Sequence, residues 1–524
     1  VPYGWDWHPR LVPVGIWNNT YLEVAPGTRI KEEKLDYQLS GDFDEVSVDY
    51  SFRVSEPEDI GYNWVLKDKN GKTIYQKQGS IGEKGEEDIE TTLQDIHLWW
   101  PHDQGEPYLY TSVLEARGPE GAIIDSVKRK VGFRKVELVM NEGAWAEPAI
   151  FPKTRSVPPF TLKINGRRIF GKGSNWVHPE VFYGKLDYQR YLEQLKLAKK
   201  ANFNILRVWG GGIVNKESFF NICDSLGILV WQDFPLSCNP YPDDPHYLEI
   251  LKQEATSIIN RVSKHPSLAF WCGGNELFNN WSGMTDQSLP LRLLNSLCYQ
   301  LDPKTPFVPT APIMGVGHGH YLFYDDQTGE EVFQLMERAN KTAYTEFGMP
   351  GIAPVSTLKK IIPQDELFPP KRNTAWETHH AFGAWRNSSW LEIETLQRYF
   401  GEAGSLKEMV DHSQLLQAVG FKCIYEEARR QKPYCSMALN WCFNEPWPTA
   451  VNNSLVGYPS KIKPAFNAVS DACRPVLASG SFSKFTWSPG EELAIDCWIL
   501  NDSPEEVDGG KVTVFAETGG ERKK

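Results

Sequence analysis

Ile205-Leu206-Arg207-Val208-Trp209-Gly210-Gly211-Gly212 is a short apolar run closed by an aromatic residue and three glycines. Helical periodicity follows over Lys216–Leu226, and Ile228–Asp233 is a second apolar run. Strand, helix and strand in that order make a βαβ unit, the connection that parallel strands require. The alternation continues on both sides. Further strand-like runs are Ile169–Asn175, Leu268–Cys272, Phe307–Thr310, Thr342–Glu346 and Met437–Cys442, with a sixth strand expected at Gly319–Tyr324. Helical spacing recurs in Tyr188–Ala201, Tyr247–Ser263, Leu289–Leu301 and Leu406–Arg429. Eight such units in about 300 residues suit a (β/α)8 TIM barrel better than an open doubly wound sheet.

The flanks have another texture. Short alternating runs such as Glu45–Tyr50 and Tyr110–Glu115, parted by turns such as Lys69-Asn70-Gly71-Lys72, read as an immunoglobulin-like β-sandwich. The expected class is therefore multidomain, β followed by α/β. Its parts are a jelly-roll remnant at 1–27, the sandwich at 28–150, the barrel at 151–472 and the start of a further β-sandwich at 473–524. On this reading the sequence is cut, or incompletely represented, at both ends.

The 524 residues are 41% hydrophobic and 23% charged, which fits a folded chain and excludes a disordered or collagen-like one. A net charge of −12, without clustered Lys and Arg, argues against nucleic acid as a partner. No apolar run reaches the ~20 residues of a membrane-spanning helix, so no membrane partner is expected. The nine cysteines lack CxxC spacing, so neither a disulfide framework nor a structural zinc site is suggested. Asn-x-Ser/Thr sequons at Asn18, Asn280, Asn340, Asn387, Asn452 and Asn501 permit secretion without showing it. The aromatic content is high, with 19 Trp, 21 Tyr and 26 Phe; part of it can line a ligand site.

Catalytic groups of a TIM barrel sit at the C-terminal ends of its strands. Glu276 ends the run Phe270-Trp271-Cys272-Gly273-Gly274-Asn275-Glu276, and Glu346 ends Ala343-Tyr344-Thr345-Glu346. Either alone is equally well a surface acid capping a helix or pairing with Arg207. Together, on strands four and seven, they face one another across one mouth, the arrangement that two-carboxylate glycoside hydrolysis needs. Asn275 is placed to hydrogen-bond a sugar hydroxyl. Trp176, Trp209 and Trp441 stand at strand ends where rings can stack on pyranose faces, whereas Trp231 reads as core. The triglycine after Trp209 is not a phosphate loop, since no Gly-Lys-Ser/Thr follows. His318 and His320, with Asp325 and Asp326 nearby, suit a substrate-contacting loop better than a metal site.

These pieces resemble glycoside hydrolase family 2, and within it the β-mannosidase branch. The resemblance rests on Tyr3-Gly4-Trp5-Asp6-Trp7, Gly15-Ile16-Trp17, Val131-Gly132-Phe133-Arg134, Arg207–Gly212, Val230-Trp231-Gln232-Asp233-Phe234, Trp271–Glu276, Glu346-Phe347-Gly348, and Trp441 with Asn444 and Trp447-Pro448. It implies Glu276 as general acid/base and Glu346 as nucleophile. It implies Asp6 as a carboxylate reaching the barrel mouth to hold the terminal sugar's outer hydroxyls. Trp176, Trp209 and Trp441 become sugar-contacting aromatics, with His320 and Tyr321 as partners at strand six. Arg207-Val208-Trp209-Gly210 stands where β-galactosidases and β-glucuronidases carry an Arg-Thr-Ser-His type stretch, and the exo-glucosaminidases lack the Asn275-Glu276 pair. Two positions depart from the pattern: His8 stands for an expected Gly, and Gly274 for an expected Asn.

The expected chemistry is retaining double displacement on terminal β-linked sugars, with β-D-mannosides as the first substrate class and no metal or organic cofactor required. Rival readings are an endo-β-mannosidase, another exo-glycosidase of the family, and a non-catalytic carbohydrate-binding barrel. A carbohydrate is the expected partner, and homodimerisation is left open. The sequence leaves the compartment unassigned, with a periplasmic or secreted bacterial setting favoured over a lysosomal one.

Overall fold

The structure, a computed structural model, describes residues 5, 8–9, 11–24, 27–144, 157–383, 389–518 and 521–523. Two antiparallel sheets form the sandwich. One pairs Ile30–Leu39, Glu45–Val54 and Glu86–Gln94; the other orders Thr73–Ser80, Gly61–Lys67, Tyr110–Arg117 and Ile123–Val131. The alternation read in the sequence becomes the core: Val46, Val48, Tyr50, Phe52 and Val54 face inward from one strand. They meet Trp64 and Leu114 of the opposite sheet, and the Tyr50 and Trp64 rings stack at 4.2 Å. The buried Trp64 indole donates to Ser112 Oγ at 2.9 Å, so burial leaves no orphan donor there.

The barrel is a parallel sheet of eight strands: Gly171–Trp176, Ile205–Val208, Leu229–Asp233, Leu268–Cys272, Phe307–Val308, Val316–His318, Ala343–Glu346 and Met437–Asn440. Numbered along the chain, their spatial order is 5-4-3-2-1-8-7-6. The pleat sorts side chains into two layers. Ile205, Leu229, Trp231, Phe270, Cys272, Ala343 and Leu439 fill the interior, with Phe160 beneath them against Trp231 at 5.6 Å. Leu206, Val208, Val230 and Trp271 point outward to the helices.

Helices at Tyr188–Lys200, Glu217–Leu226, Pro245–Val262, Leu289–Leu301 and Leu406–Arg430 lie where their periodicity predicts. Asp187 caps the first, its Oδ1 accepting from the Arg190 N–H at 2.8 Å. Gly227 ends the second in the left-handed region at φ +74°, where a Cβ would stand 2.7 Å from the His102 nitrogen. Among the described residues, no helix is long and apolar enough to cross a membrane.

Two expectations are corrected. The sixth strand is Val316–His318, ahead of the expected Gly319–Tyr324, and residues 309–315 join strands five and six without a helix. The apolar pattern that suggested a strand over Leu322-Phe323 serves another layer: Phe323 packs edge-on against Phe333, Tyr399 and Phe485. Of the sequons, Asn452 is buried and closed to modification, and Asn387 lies outside the described residues.

Beyond the barrel, Val476–Ser481 pairs antiparallel with Asp496–Asn501. Asp502 then turns beneath the barrel, where Lys172 (3.7 Å), Arg429 (2.8 Å) and Lys432 surround it. Asp103, from the loop before the sandwich's Tyr110–Arg117 strand, joins the same cluster through Lys172 at 3.1 Å. All but Lys432 are inaccessible to solvent.

Candidate active site

Polar residues collect at the C-terminal ends of the strands and converge on one guanidinium. Arg207, on strand two, shares the inward parity of Ile205 and is fully buried. Its Nη2 donates to Asp233 Oδ2 of strand three at 2.8 Å and to Asn275 Oδ1 at 2.7 Å. Its Nη1 donates to Asn175 Oδ1 of strand one at 3.1 Å and to Glu346 Oε2 of strand seven at 3.3 Å. Burial alone would lower the arginine's pKa, but Asp233 and Glu346 outweigh it and hold the cation above its ordinary value. A buried cation with two carboxylates and two amides on it fixes four strand ends relative to one another.

Glu346 reaches this site through an irregularity in its strand. Val316 pairs with Ala343 and Gly317 with Tyr344, but His318 pairs with Glu346, so Thr345 is an extra residue. Such a bulge re-aims the side chain that follows it. The Tyr321 hydroxyl donates to Glu346 Oε1. Glu276 follows strand four in the left-handed conformation, φ +53°. Its N–H donates to the Ala311 carbonyl at 2.7 Å, and its own carbonyl accepts from Ser282 Oγ at 2.7 Å.

His318 sits between the two acids, with Nδ1 at 3.0 Å from Glu276 Oε1 and 3.5 Å from Glu346 Oε2. Burial pulls its pKa down to about 4, so it is neutral at neutral pH. One oxygen of each carboxylate and the His318 nitrogen all lie within 4.8 Å of one another, a donor set that would also accept a divalent cation. Burial pushes both carboxyls up. For Glu346 the proximity of Glu276 adds to that rise, while His318, Arg207 and the Tyr321 hydroxyl oppose it. Salt-bridge contact with Arg207 is made by Glu346, so a single proton shared by the pair is better placed on Glu276.

The predicted site residues divide. Glu276, Glu346, Asn275 and Tyr321 come together; Asn275 is buried, its oxygen on Arg207 and its Nδ2 donating to Cys238 Sγ at 3.4 Å. Trp209 and Trp441 form an edge-to-face pair at 4.9 Å that Tyr321 packs against, and Trp5 meets Trp209 at 4.8 Å. This aromatic wall adjoins Glu346 through Tyr321. His320 is half-buried in the loop after strand six, its carbonyl accepting from the Gly348 N–H at 3.0 Å. Asp6 lies outside the described residues. Trp176 is a correction: it packs against Tyr191, Phe219 and Phe443 in the layer between barrel and helices. Since Asn175 points inward to Arg207, the pleat turns Trp176 away from the mouth.

Sequence reasoning left Arg207, Asp233, Asn175, Cys238 and His318 without a central role. A charged residue inside an apolar strand, as at Arg207, must have buried partners, and polar strand ends on the neighbours are where to look.

The sequence profile of Glycosyl hydrolases family 2 matches residues 28–134, and that of the Glycosyl hydrolases family 2 TIM barrel domain matches residues 157–306. Over these two segments the chain is similar to glycoside hydrolase family 2. Within that family the likeness is to β-mannosidases. It is 26% identical to Beta-mannosidase B of Neosartorya fischeri over 545 residues, and 27% identical to Beta-mannosidase B of Aspergillus oryzae over 546. Each match covers 97% of this chain and 62% of the relative, so the chain spans less than two thirds of the curated relatives it matches. Beta-D-mannosidase from Dictyoglomus thermophilum superposes with a TM-score of 0.80 at 26% identity, covering 96% of this chain and 66% of that one. An exo-chitosanase from Amycolatopsis orientalis shares the fold, with a TM-score of 0.68 at 19% identity over 87% of this chain and 54% of that one.

Proposed function

We propose that this chain is a retaining glycosidase acting on terminal β-D-mannosides, with Glu346 as nucleophile and Glu276 as general acid/base. The observation that carries the reading is the spacing of the two acids, whose nearest oxygens lie within 4.8 Å. Retaining pairs stand about 5–5.5 Å apart, whereas inverting pairs leave ~6.5–9.5 Å for a water. The mannoside preference rests on what the fungal and Dictyoglomus relatives are called.

The chemistry follows from the surroundings of each acid. Glu346, ionised beside Arg207 and held by Tyr321, attacks the anomeric carbon and forms a glycosyl–enzyme. Glu276, whose carboxyl burial pushes up, gives its proton to the departing oxygen. It then takes a proton from the water that releases the sugar. Neutral His318 bridges the acids without adding a third charge.

The test is a panel of aryl β-glycosides (mannoside, galactoside, glucoside, glucuronide, N-acetylglucosaminide) with product stereochemistry read by proton NMR. Glu346→Ala and Glu276→Ala run beside the native chain. The expected result is fastest release from the mannoside with retention, a loss of at least ~10³-fold for Glu346→Ala, and azide rescue of Glu276→Ala on activated substrates. Inversion of configuration, or native turnover in both variants, would refute the assignment.

A further inference from the structure

The loop after strand three carries a thiol onto the acid. Its backbone extends the sheet beside strand four: Asn275 donates its N–H to the Leu236 carbonyl at 2.9 Å, and the Cys238 N–H returns to the Asn275 carbonyl at 3.0 Å. Ser237 and Asn275 form a parallel bridge within that ladder. Cys238 is then in the left-handed region at φ +51°, as Glu276 is at +53°. Neither is glycine, and each such conformation costs on the order of 1–3 kcal/mol unless its surroundings hold it. The two turned residues meet through their side chains, Cys238 Sγ donating to Glu276 Oε2 at 3.4 Å. The same sulfur accepts from Asn275 Nδ2 at 3.4 Å.

Glu276 is thereby held at four points. Ala311 and Ser282 fix its backbone, His318 meets Oε1 and Cys238 meets Oε2. We propose that Cys238 is a positioning residue for the acid/base: its thiol, oriented by Asn275, aims the Glu276 carboxyl by holding Oε2. The inference rests on the acid/base reading of Glu276. Burial, with Glu276 beside it, pushes the Cys238 thiol up to about 12, so the sulfur keeps its proton and remains a donor throughout the neutral range. A thiol is a weak donor and orients a carboxylate while drawing little charge from it. The bond favours the ionised acid and so moderates the upward push of burial. Arg207, Asn279, His318 and Glu346 also face Glu276, and all of them persist when the thiol is removed.

The test compares Cys238→Ala and Cys238→Ser with the native chain by the pH dependence of kcat/KM on aryl β-mannosides. Removing the donor in Cys238→Ala should move the alkaline limb, where the acid loses its proton, upward by roughly 0.5–1 pH unit. Cys238→Ser keeps a donor and should stay within ~0.3 unit of native. On a dinitrophenyl glycoside, whose departure needs no acid, glycosylation should be equal in all three. A limb unmoved in Cys238→Ala, or moved equally in Cys238→Ser, overturns the proposal, because volume loss alone would then account for it. Titration of the Glu276 carboxyl by carbon-13 NMR of Glu-labelled protein reads the same coupling without turnover. Native turnover in Glu276→Gln would instead overturn the acid/base reading itself.

Discussion

Replacing Arg207 by methionine tests whether the guanidinium holds the barrel mouth together. The side chain is inaccessible to solvent, as is its partner Asp233, and Glu346 is nearly so. Removing one partner of a buried pair costs about 3–5 kcal/mol, because the remaining charge keeps its desolvation penalty without its attraction. Two carboxylates lose their cation here, and Asn175 Oδ1 and Asn275 Oδ1 lose a donor. The upper end of that range is therefore expected. For a unit of about 300 residues it corresponds to a melting temperature lower by roughly 6–8 °C. Asp233→Asn should cost only about 1–3 kcal/mol, since the Gly210 N–H, now at 2.9 Å from Oδ2, keeps an acceptor and Arg207 keeps Glu346. Joining Arg207→Met to Asp233→Leu removes the pair as a whole and should be more stable than Arg207→Met alone, which is the signature of coupled sites. Thermal melts at neutral pH, followed by tryptophan fluorescence and far-UV circular dichroism, give these values and that of Asp233→Leu alone. Strict additivity of the two substitutions, or an Arg207→Met chain melting within ~2 °C of native, would refute the reasoning.

Glu276→Gln should melt higher than the native chain at neutral pH. The folded pKa lies above the ordinary 4.5, so the native chain loses stability as pH rises through the window between them, and the gain should vanish below 4.5. Trp176→Ala should lower stability by about 3–5 kcal/mol, measured by denaturant titration. Trp209→Ala should instead raise KM on aryl mannosides with a smaller loss of stability. Asp502→Asn should destabilise by about 3–5 kcal/mol, read by thermal melting. Its carboxyl feels burial first, but Lys172, Arg429 and Lys432 together hold it below 3.8, so this stability is present above 3.8 and disappears as pH falls through the folded value.

Most of the fold was legible because parallel strands here are apolar runs between helices of clear apolar periodicity. Tyr188–Lys200 and Leu289–Leu301 fall where their periodicity puts them. Strand six was not legible, since Gly315-Val316-Gly317-His318-Gly319-His320 offers neither apolar continuity nor alternation. Its partners place it, and no local preference does. The two acids could be found because each ends a buried run. The tryptophans needed one more step: strand parity, with Asn175 and Arg207 facing in, separates Trp176 from Trp209. The bulge at Thr345 was hidden, because the pairing with strand six creates it. His318 was visible as a residue but not as a bridge between the acids, which only the eight-stranded sheet brings within reach.

The carboxylate beneath the barrel bears on how this protein can be divided. Asp502 belongs by sequence to the segment that follows the barrel, and Asp103 to the sandwich that precedes it. Both neutralise Lys172, a residue of the first barrel strand. A gene cut at the compositional boundaries would free a barrel with Lys172 and Arg429 stranded in its floor. The barrel is therefore not a cassette to be grafted between scaffolds on its own. A chimera that exchanges either neighbour must carry an acid in the matching place, or replace the lysine and arginine by apolar residues of similar size.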